Sequence, residues 1–376
     1  ERFRQGASPA VDKVRAIDTE QSNTTTIIDS DYVVKIIRRV HPGPNPEIEV
    51  GRFLTDAVGY TGVPPLLGSV ELVEGGQRSA VAVVARFVEN QGDAWTVVSG
   101  QLDRFVEEQR LLADEEAAEE QAPYSSRFRQ VGRRTAELHL ALASRDDIPA
   151  FAPEPITPHD VSSWTETLLE HAGRTLDDLA ERRSEMKPGD VAIVAQLNAR
   201  RQEVLEQIAN LLPPSIDISK IRHHGDLHLG QILIVKDDIL ILDFEGEPQR
   251  SLEERRRKRA AARDVAGVIR SIDYAATAAF ARATAITSEG REKVVHALDT
   301  WRERTTAAFL AGYRESMTDA RLWPVEPEHA ERVLDFFLLE KAFYEIDYEI
   351  ANRPHWLHVP LAGVWRILLK HESGRS

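Results

Sequence analysis

The stretch that decides the fold reads HHGDLHLGQIL over residues 223–233 and ILILDFEGE over residues 239–247. Asp226 lies in a polar loop, and the amide of Gln231 follows it five residues later. After a short polar turn, an apolar strand leads directly to a second carboxylate, Asp243. The pattern is therefore a polar loop, a turn and a strand that is followed directly by the Asp243 carboxylate.

These residue types are the parts that phosphoryl transfer needs. Asp226 would accept or orient the proton of an attacking hydroxyl group. Gln231 and Asp243 would hold Mg²⁺ on the phosphates of a nucleotide, because this hard cation prefers oxygen ligands. Glu245 could add a further metal or substrate ligand. The alternative is a hairpin whose polar residues only form turns, and the coincidence of loop, spacing and strand disfavours it.

The stretch resembles the catalytic and metal loops of the protein-kinase-like fold, in the branch of aminoglycoside and other small-molecule phosphotransferases. The kinase pattern H-R-D-x-x-x-x-N becomes His224-Gly225-Asp226-x-x-x-x-Gln231, and D-F-G becomes Asp243-Phe244-Glu245. Glutamine replaces the asparagine, so its longer arm must reach the metal from a different backbone position. The resemblance implies an α+β, bilobal fold with a small β-rich N-lobe and a large helical C-lobe.

The order of elements along the chain agrees with two lobes. Residues 1–90 contain β-branched runs, a hairpin around the turn at residues 29–31, and one helix that begins near Asn45. Residues 91–376 have mainly helical periodicity, apart from the catalytic loop at 223–247. We therefore expect an N-lobe over 1–90 and a C-lobe over 91–376.

Composition excludes several classes of protein. The 376 residues include 47 Lys and Arg against 61 Asp and Glu, and the net charge of −14 disfavours nucleic acids and anionic membranes as partners. The chain has no cysteine, which excludes disulfides and thiolate catalysis. No apolar run reaches the roughly 18–20 residues of a membrane span. We expect a cytoplasmic protein.

Lys35 interrupts an otherwise apolar strand, where it fits the lysine that holds the α- and β-phosphates of ATP. The alternative is an edge-strand lysine with a solvated head group. The carboxylate partner of Lys35 is expected on the next helix, where Glu47 and Glu49 are the candidates. Glu47 would also serve as a first-turn charge, whereas Glu49 lies deeper and shares a helix face with Phe53. We therefore expect Glu49 to be the partner.

Two further segments are expected to contact the nucleotide. Gln21, Ser22 and Asn23 precede the second strand, where kinases have a glycine-rich phosphate loop. The G-x-G-x-x-G pattern is missing here, so backbone and hydroxyl donors would have to cover the phosphates. Val88 lies in the hinge segment 86–89, which would face the adenine. The expected cofactors are ATP and Mg²⁺.

Several stretches outside the kinase elements resemble bacterial maltokinases, including those fused behind trehalose synthase. They read EQSNT (20–24), NPEIE (45–49), NQGDAW (90–95), RDVAG (263–267), EKAFYE (340–345) and NRPHW (352–356). The resemblance covers residues 15–370 and implies ATP-dependent phosphorylation of maltose to maltose 1-phosphate for α-glucan synthesis. It also implies trehalose synthase as a fusion or complex partner. Maltokinases usually carry a cap subdomain before the first kinase strand, and we expect it to be absent or to lie outside this sequence.

The predicted sugar site lies on a C-terminal helix. Lys341, Tyr344 and Tyr348 stand at i, i+3 and i+7, on one helical face. Aromatic rings stack on the apolar face of a pyranose, while lysine and phenol groups bind its hydroxyls. The resemblance to maltokinases implies that this face, with Tyr274, binds the disaccharide. The alternative is that the tyrosines are core residues.

Two other functions stay open. The first is a kinase of another small sugar or amino sugar, such as glucosamine. A cationic amino group would need an extra carboxylate in the site and would be repelled by Lys341. The second is a catalytically silent kinase-like module that only binds a trehalose-synthase partner, and the intact Asp226 and Lys35 count against it.

Overall fold

A five-stranded antiparallel sheet forms the N-terminal lobe. The computed structural model describes residues 13–16, 23–111, 122–283 and 288–373. The strands are β1 (Val14–Ala16), β2 (Thr24–Ile28), β3 (Tyr32–Ile36), β4 (Leu66–Glu74) and β5 (Gln77–Arg86). Their order across the sheet is β1-β2-β3-β5-β4. The central strand is therefore β3, and Lys35 on it lies between Thr25 and Val83 of the neighbouring strands.

Strands β2 and β3 form the expected hairpin. Its turn residues Asp29 and Ser30 have φ of 52° and 56°. Short polar side chains tolerate this left-handed conformation, which matches the twist of the flanking strands. The turn brings Thr25 opposite Lys35 and so fixes the register of the strand that carries the lysine.

The helix α1 (Pro46–Arg52) lies between the sheet and the helical lobe. The Asn45 side chain caps it by accepting hydrogen bonds from two backbone N–H groups of its first turn. Ile48 packs beneath the sheet, whereas Phe53, just past the helix, belongs to the large core of the helical lobe. The Phe53 ring stacks on Phe151 with the centroids 3.6 Å apart. Both faces of α1 are therefore buried, each against a different lobe.

The rest of the chain is mainly helical, and the α+β bilobal prediction is confirmed. Its helices are α2 (Ala94–Leu111), α3 (Ala122–Leu142), α4 (Pro158–Glu181), α5 (Pro188–Ala199), α6 (Arg201–Ala209), α7 (Leu252–Arg256), α8 (Ala262–Arg282), α9 (Ser288–Ser316), α10 (Pro327–Asn352) and α11 (His358–Ser373). Its strands form two small pairs, β6 (Glu154–Pro155) with β7 (Ser219–Lys220) and β8 (Ile232–Val235) with β9 (Asp238–Ile241). Among the described helices, none combines the length and apolar character needed to cross a membrane.

The β8–β9 hairpin is bonded to both lobes. Gln91 donates its backbone N–H to the Ile234 carbonyl at 2.9 Å, and Ile234 donates to the Gly92 carbonyl at the same distance. On the other strand, Ile241 donates to the carbonyl of Gly62, also at 2.9 Å. The hairpin is thus fixed to the connector between the lobes and to a loop of the N-lobe. The exact domain boundary at residue 90 stays a prediction.

Candidate active site

The loop that carries Asp226 is held by its neighbours along the chain. Gly225 has φ of 89°, a conformation that a side chain would strain. The Asp226 N–H donates to Nδ1 of His224 at 3.3 Å, and Nε2 of the same ring lies 2.7 Å from the Leu242 carbonyl. Leu242 directly precedes Asp243, so one imidazole ring connects the loop of the predicted base to that of the predicted metal ligand.

A buried carboxylate on α8, Asp264, also holds this loop. The backbone N–H groups of His224 and Gly225 donate to it at 2.7 and 2.9 Å, and Nε2 of His139 lies 3.1 Å away. Burial raises the pKa of Asp264, but the hydrogen bond from His139 and the neighbouring His223 lower it well below its ordinary value. Asp264 is therefore a charged anchor for the catalytic loop.

The close approach of α8 to the loop depends on Gly267. A Cβ atom at this position would lie 2.4 Å from the carbonyl oxygen of Leu227. Sequence reasoning noted residues 263–267 only as a family-like stretch and gave no role to Asp264 or Gly267. The available signal was an acidic residue in the first turn of a helix rich in alanine, valine and isoleucine.

Lys35 lies among three carboxylates. Its Nζ is 2.8 Å from Glu47, 2.7 Å from Asp243 and 2.9 Å from Glu245. Burial lowers the pKa of Lys35, but the three carboxylates together raise it well above its ordinary value. Lys35 is therefore a largely buried cation on a central strand, and the edge-strand alternative is wrong.

The predicted pairing of Lys35 with Glu49 is wrong, because Glu47 is the partner on this helix. Residues two apart on an α-helix point about 200° away from each other, so only one of the two glutamates can face β3. Glu49 instead forms ion pairs with two arginines of the helical lobe. The face that Glu49 shares with Phe53 is the one that packs against the helical lobe.

The cluster around Lys35 has the oxygen ligands that suit Mg²⁺. Oxygens of Glu47, Asp243 and Glu245 lie within 4.8 Å of one another, and the Gln231 side-chain nitrogen is 3.3 Å from Asp243. Burial raises the pKa of Glu47, Lys35 opposes this shift, and the two neighbouring carboxylates add to it. Three carboxylates share one lysine, so a divalent cation would offset the remaining negative charge. The predicted metal ligands therefore fit Mg²⁺, and Glu47 is a further candidate.

On the acceptor side of the loop, Lys341 of α10 reaches the predicted base. Its Nζ is 3.0 Å from Asp226 and 2.8 Å from Glu247, and it lies 4.8 Å from the ring centroid of Tyr344. These four side chains line one cavity. Burial lowers the pKa of Lys341, but Asp226 and Glu247 raise it well above its ordinary value. Lys341 and Tyr344 thus lie beside Asp226, and their contacts with a sugar stay predictions.

Sequence reasoning missed Glu247, the second acidic residue after Asp243. It is buried and forms ion pairs with Lys341, Arg263 and Arg250. Arg263 also donates to the Gly225 carbonyl at 3.0 Å. Glu247 therefore links the lysine at the base to the backbone of the catalytic loop, and its position in the DFEGE stretch was the available signal.

The other two predicted sugar-binding residues lie in a separate aromatic cluster. The Tyr274 hydroxyl donates to Glu349 at 3.0 Å, and its ring is nearly parallel to Trp356 with a centroid distance of 6.1 Å. Tyr348 is 37% exposed, and its ring lies 5.2 Å from the guanidinium of Arg353, which also lies over Trp356. The four predicted sugar-binding side chains thus divide into two groups, one beside the predicted base and one in this cluster.

The predicted nucleotide contacts divide in a similar way. Asn23 donates to Glu245 at 2.7 Å and so lies at the edge of the carboxylate cluster. Val88 lies two residues after the end of β5, and its carbonyl accepts a hydrogen bond from the Asn90 side chain at 2.8 Å. Gln21 and Ser22 lie outside the described residues. Contacts of Asn23 and Val88 with a nucleotide stay predictions.

Comparison with known proteins identifies the family. Residues 13–246, more than half of the chain, match the APH model, which describes the phosphotransferase enzyme family. The chain belongs to this family. Membership agrees with the position of the Asp226 loop and the Lys35 cluster, and ATP and Mg²⁺ are the cofactors that such a phosphotransferase uses.

Two similar proteins are named glucosamine kinase. The one from Streptacidiphilus jiangxiensis is 28% identical over 357 residues, covering 94% of this phosphotransferase and 73% of the relative. The one from Mycolicibacterium smegmatis is 27% identical over 361 residues, covering 94% and 79%. A solved structure, described as glucosamine kinase in complex with glucosamine, ADP and inorganic phosphate, has a TM-score of 0.73 at 23% identity and covers 96% and 81% of the two chains. This structural similarity supports the fold.

These names differ from the resemblance on which the maltose prediction rests. The phosphotransferase class and the kinase-like fold are confirmed, whereas a maltokinase is not. Trehalose synthase as a partner and a cytoplasmic location stay predictions.

Proposed function

We propose that this phosphotransferase transfers the γ-phosphoryl group of ATP to a hydroxyl of an amino sugar, with glucosamine as the acceptor. The observation that carries the proposal is the position of Asp226. On one side His224 connects its loop to the carboxylate cluster, and on the other side Asp226 lines the cavity that contains Lys341. The names of the two similar proteins suggest the class of acceptor.

The mechanism needs only positioning and charge neutralisation. Asp226, with 22% of its side chain exposed, would accept the proton of the attacking hydroxyl. Lys35 would hold the phosphate oxygens. Asp243, Glu245 and Gln231 would hold Mg²⁺, which when bound neutralises charge on the phosphates. The acceptor would lie in the Lys341 cavity, in line with the phosphoryl group.

The contacts of Lys341 would reduce the repulsion of an amino sugar that its charge alone predicts. Two carboxylates lie within 3.0 Å of its Nζ, so the lysine is already neutralised. Because the Asp264 carboxylate is occupied by the backbone of the Asp226 loop, the other charges around the cavity balance and would not repel an ammonium group. Among the described residues, four carboxylates and three cations line the cavity. They are Asp226, Glu247, Asp264, Glu340, Lys341, Arg250 and Arg263.

Maltose is the second candidate acceptor, and the aromatic residues of α8 and α10 favour it. A disaccharide needs a longer site than glucosamine and stacks its pyranose faces on aromatic rings. Tyr344 lies beside Lys341, and the Tyr274, Tyr348 and Trp356 cluster offers further aromatic surface.

A comparison of acceptors separates these functions. The full chain would be incubated with ATP, Mg²⁺ and glucosamine, maltose, glucose or an aminoglycoside, with mass spectrometry of the sugar and a coupled assay for ADP. A highest kcat/KM with glucosamine supports the proposal, and a highest value with maltose replaces it by the second candidate. No transfer to any sugar contradicts both and favours a silent module.

A substitution at the predicted base tests the mechanism. We expect Asp226→Asn to lower kcat by about 100-fold or more while changing the nucleotide Kd little, because the carboxylate acts on the acceptor hydroxyl. Asp237→Asn, in the exposed β8–β9 turn, is the matched control and should keep the wild-type rate. Unchanged turnover of Asp226→Asn would contradict the assignment.

A further inference from the structure

Glu49 connects α1 to two segments of the helical lobe. Arg222 donates to Oε2 of Glu49 at 2.8 Å. Arg256 donates to the same carboxylate twice, at 2.9 and 2.8 Å. Arg222 lies four residues before Asp226, and Arg256 is the last residue of α7. One carboxylate therefore ties the N-lobe helix both to the catalytic loop and to the segment that follows Glu247.

The pair with Arg222 is sheltered from water, whereas the Arg256 side chain is 32% exposed. The Arg222 side chain is 2% exposed, and its guanidinium lies 5.3 Å from the ring centroid of Phe151, which stacks on Phe53. Burial raises the pKa of Glu49, but the hydrogen bonds from Arg256 and Arg222 lower it below its ordinary value. Removal of Glu49 would leave a buried guanidinium without its carboxylate, which is strongly unfavourable.

Glu49 lies on the same helix as Glu47, which contacts the proposed phosphate-binding lysine. Glu47, two residues earlier on the same short helix, contacts Lys35 at 2.8 Å, and Lys35 contacts Asp243 at 2.7 Å. A shift of α1 would therefore move Glu47 relative to Lys35. The helix continues into a π-helical segment, Phe53–Val58, whose first residue is buried in the core of the helical lobe, so its placement depends on contacts with both lobes.

We propose that Glu49 is a positioning residue, which holds α1 through Arg222 and Arg256 so that Glu47 stays in contact with Lys35. In protein kinases, phosphorylation of the activation loop controls the placement of the corresponding helix. In this chain, the Glu49 carboxylate supplies a permanent negative charge between that helix and two arginines. The inference depends on the phosphotransferase family and is independent of which sugar is the acceptor.

The first experiment measures the affinity for Mg·ADP by calorimetry and the kinetic constants for ATP. We expect Glu49→Gln to raise the Kd of Mg·ADP and to lower kcat/KM for ATP by about ten-fold, with the KM of the acceptor changed less than two-fold. Glu71→Gln is the matched control, because Glu71 also pairs with two arginines, Arg52 at the end of α1 at 3.2 Å and Arg78 at 3.5 Å. Both arginines are at least half exposed and neither belongs to the helical lobe, so these surface pairs should contribute little. The control should leave both constants unchanged.

A double-mutant cycle with Lys35→Met separates positioning from general stabilisation. If Glu49 acts through Lys35, then Glu49→Gln should not weaken Mg·ADP binding further in the Lys35→Met background. The same additional loss in both backgrounds would overturn the proposal. A lower Tm with unchanged Mg·ADP affinity would also overturn it. If Glu49→Gln does not fold, Arg256→Gln, which leaves the Arg222 pair intact, takes its place in the same cycle and decides by the same criteria.

Discussion

The buried carboxylate of Glu247 forms ion pairs with three cations, so its replacement by glutamine should lower the stability of the protein. Its side chain is 1% exposed, and Lys341 and Arg263 each lie 2.8 Å from one of its oxygens, with Arg250 as the third partner. Loss of one partner of a buried ion pair costs about 3–5 kcal/mol. Glutamine keeps the shape and one acceptor oxygen, so we expect the free energy of unfolding to fall by about 3 kcal/mol at pH 7.

The pH dependence of this effect follows from the direction of the pKa shift. Burial raises the pKa of Glu247, but Lys341, Arg263 and Arg250 lower it well below the ordinary value of 4.5. A carboxyl group whose folded pKa is lowered stabilises the fold above its unfolded pKa and loses this contribution as the pH falls. The difference between wild type and Glu247→Gln should be constant from pH 7 to 5 and shrink by about 1.4 kcal/mol per pH unit below pH 4.5.

Urea unfolding followed by circular dichroism at pH 7, 5 and 4 would measure both quantities. The matched control is Glu253→Gln, because Glu253 is 82% exposed and, within the described part of the chain, its ion pair is the surface contact with Arg257 at 3.1 Å. A control effect of about 0.5 kcal/mol or less is expected. If Glu247→Gln were no more destabilising than this control, or if the difference did not depend on pH, the reasoning would be refuted.

Two other substitutions test separate parts of the site. Lys35→Met should lower kcat by about 100-fold or more and weaken Mg·ADP binding, because it leaves Glu47 and its neighbours without their cation; a coupled assay that found wild-type kcat would contradict this. Gly267→Ala should lower the free energy of unfolding by about 1–3 kcal/mol, since its Cβ would lie 2.4 Å from the Leu227 carbonyl. Gly100→Ala, with open space around the added Cβ, should be neutral or stabilising in the same urea experiment.

The loop-and-hairpin part of the site is accessible to sequence reasoning because its residues are close along the chain. Asp226, Gln231 and Asp243 are joined by one short hairpin, and local geometry places them together. Lys35 could be recognised because a charged residue in an apolar strand needs partners. Membership of the phosphotransferase family agrees with these inferences.

The helix partner of Lys35 shows where such reasoning fails. An apolar neighbour indicates a buried face, but α1 has two buried faces, one beneath the sheet and one against the helical lobe. Phe53 therefore identifies a buried side without telling which lobe covers it. The choice between Glu47 and Glu49 depends on the tertiary placement of the helix, which residue spacing does not contain.

The long-range ion pairs of the site could not be predicted from the sequence either. Lys341 meets Glu247 across 94 residues, and His139 meets Asp264 across 125. Each of these groups has an ordinary explanation when considered alone, as a surface charge or a helix residue. The expected repulsion of an amino sugar by Lys341 did not take Asp226 and Glu247 into account, because these partners come from distant segments.

The hairpin β8–β9, which is hydrogen-bonded to the connector and to the N-lobe, limits how the N-lobe could be exchanged or expressed alone. Its backbone is bonded to the connector at Gln91 and Gly92 and to the N-lobe loop at Gly62. Expression of residues 1–90 alone would remove the donor to the Gly62 carbonyl, and residues 91–376 alone would leave the Ile241 N–H without this acceptor. A chimera that exchanged the sheet between two related enzymes would therefore have to carry the hairpin with it, although the hairpin lies more than 140 residues further along the chain.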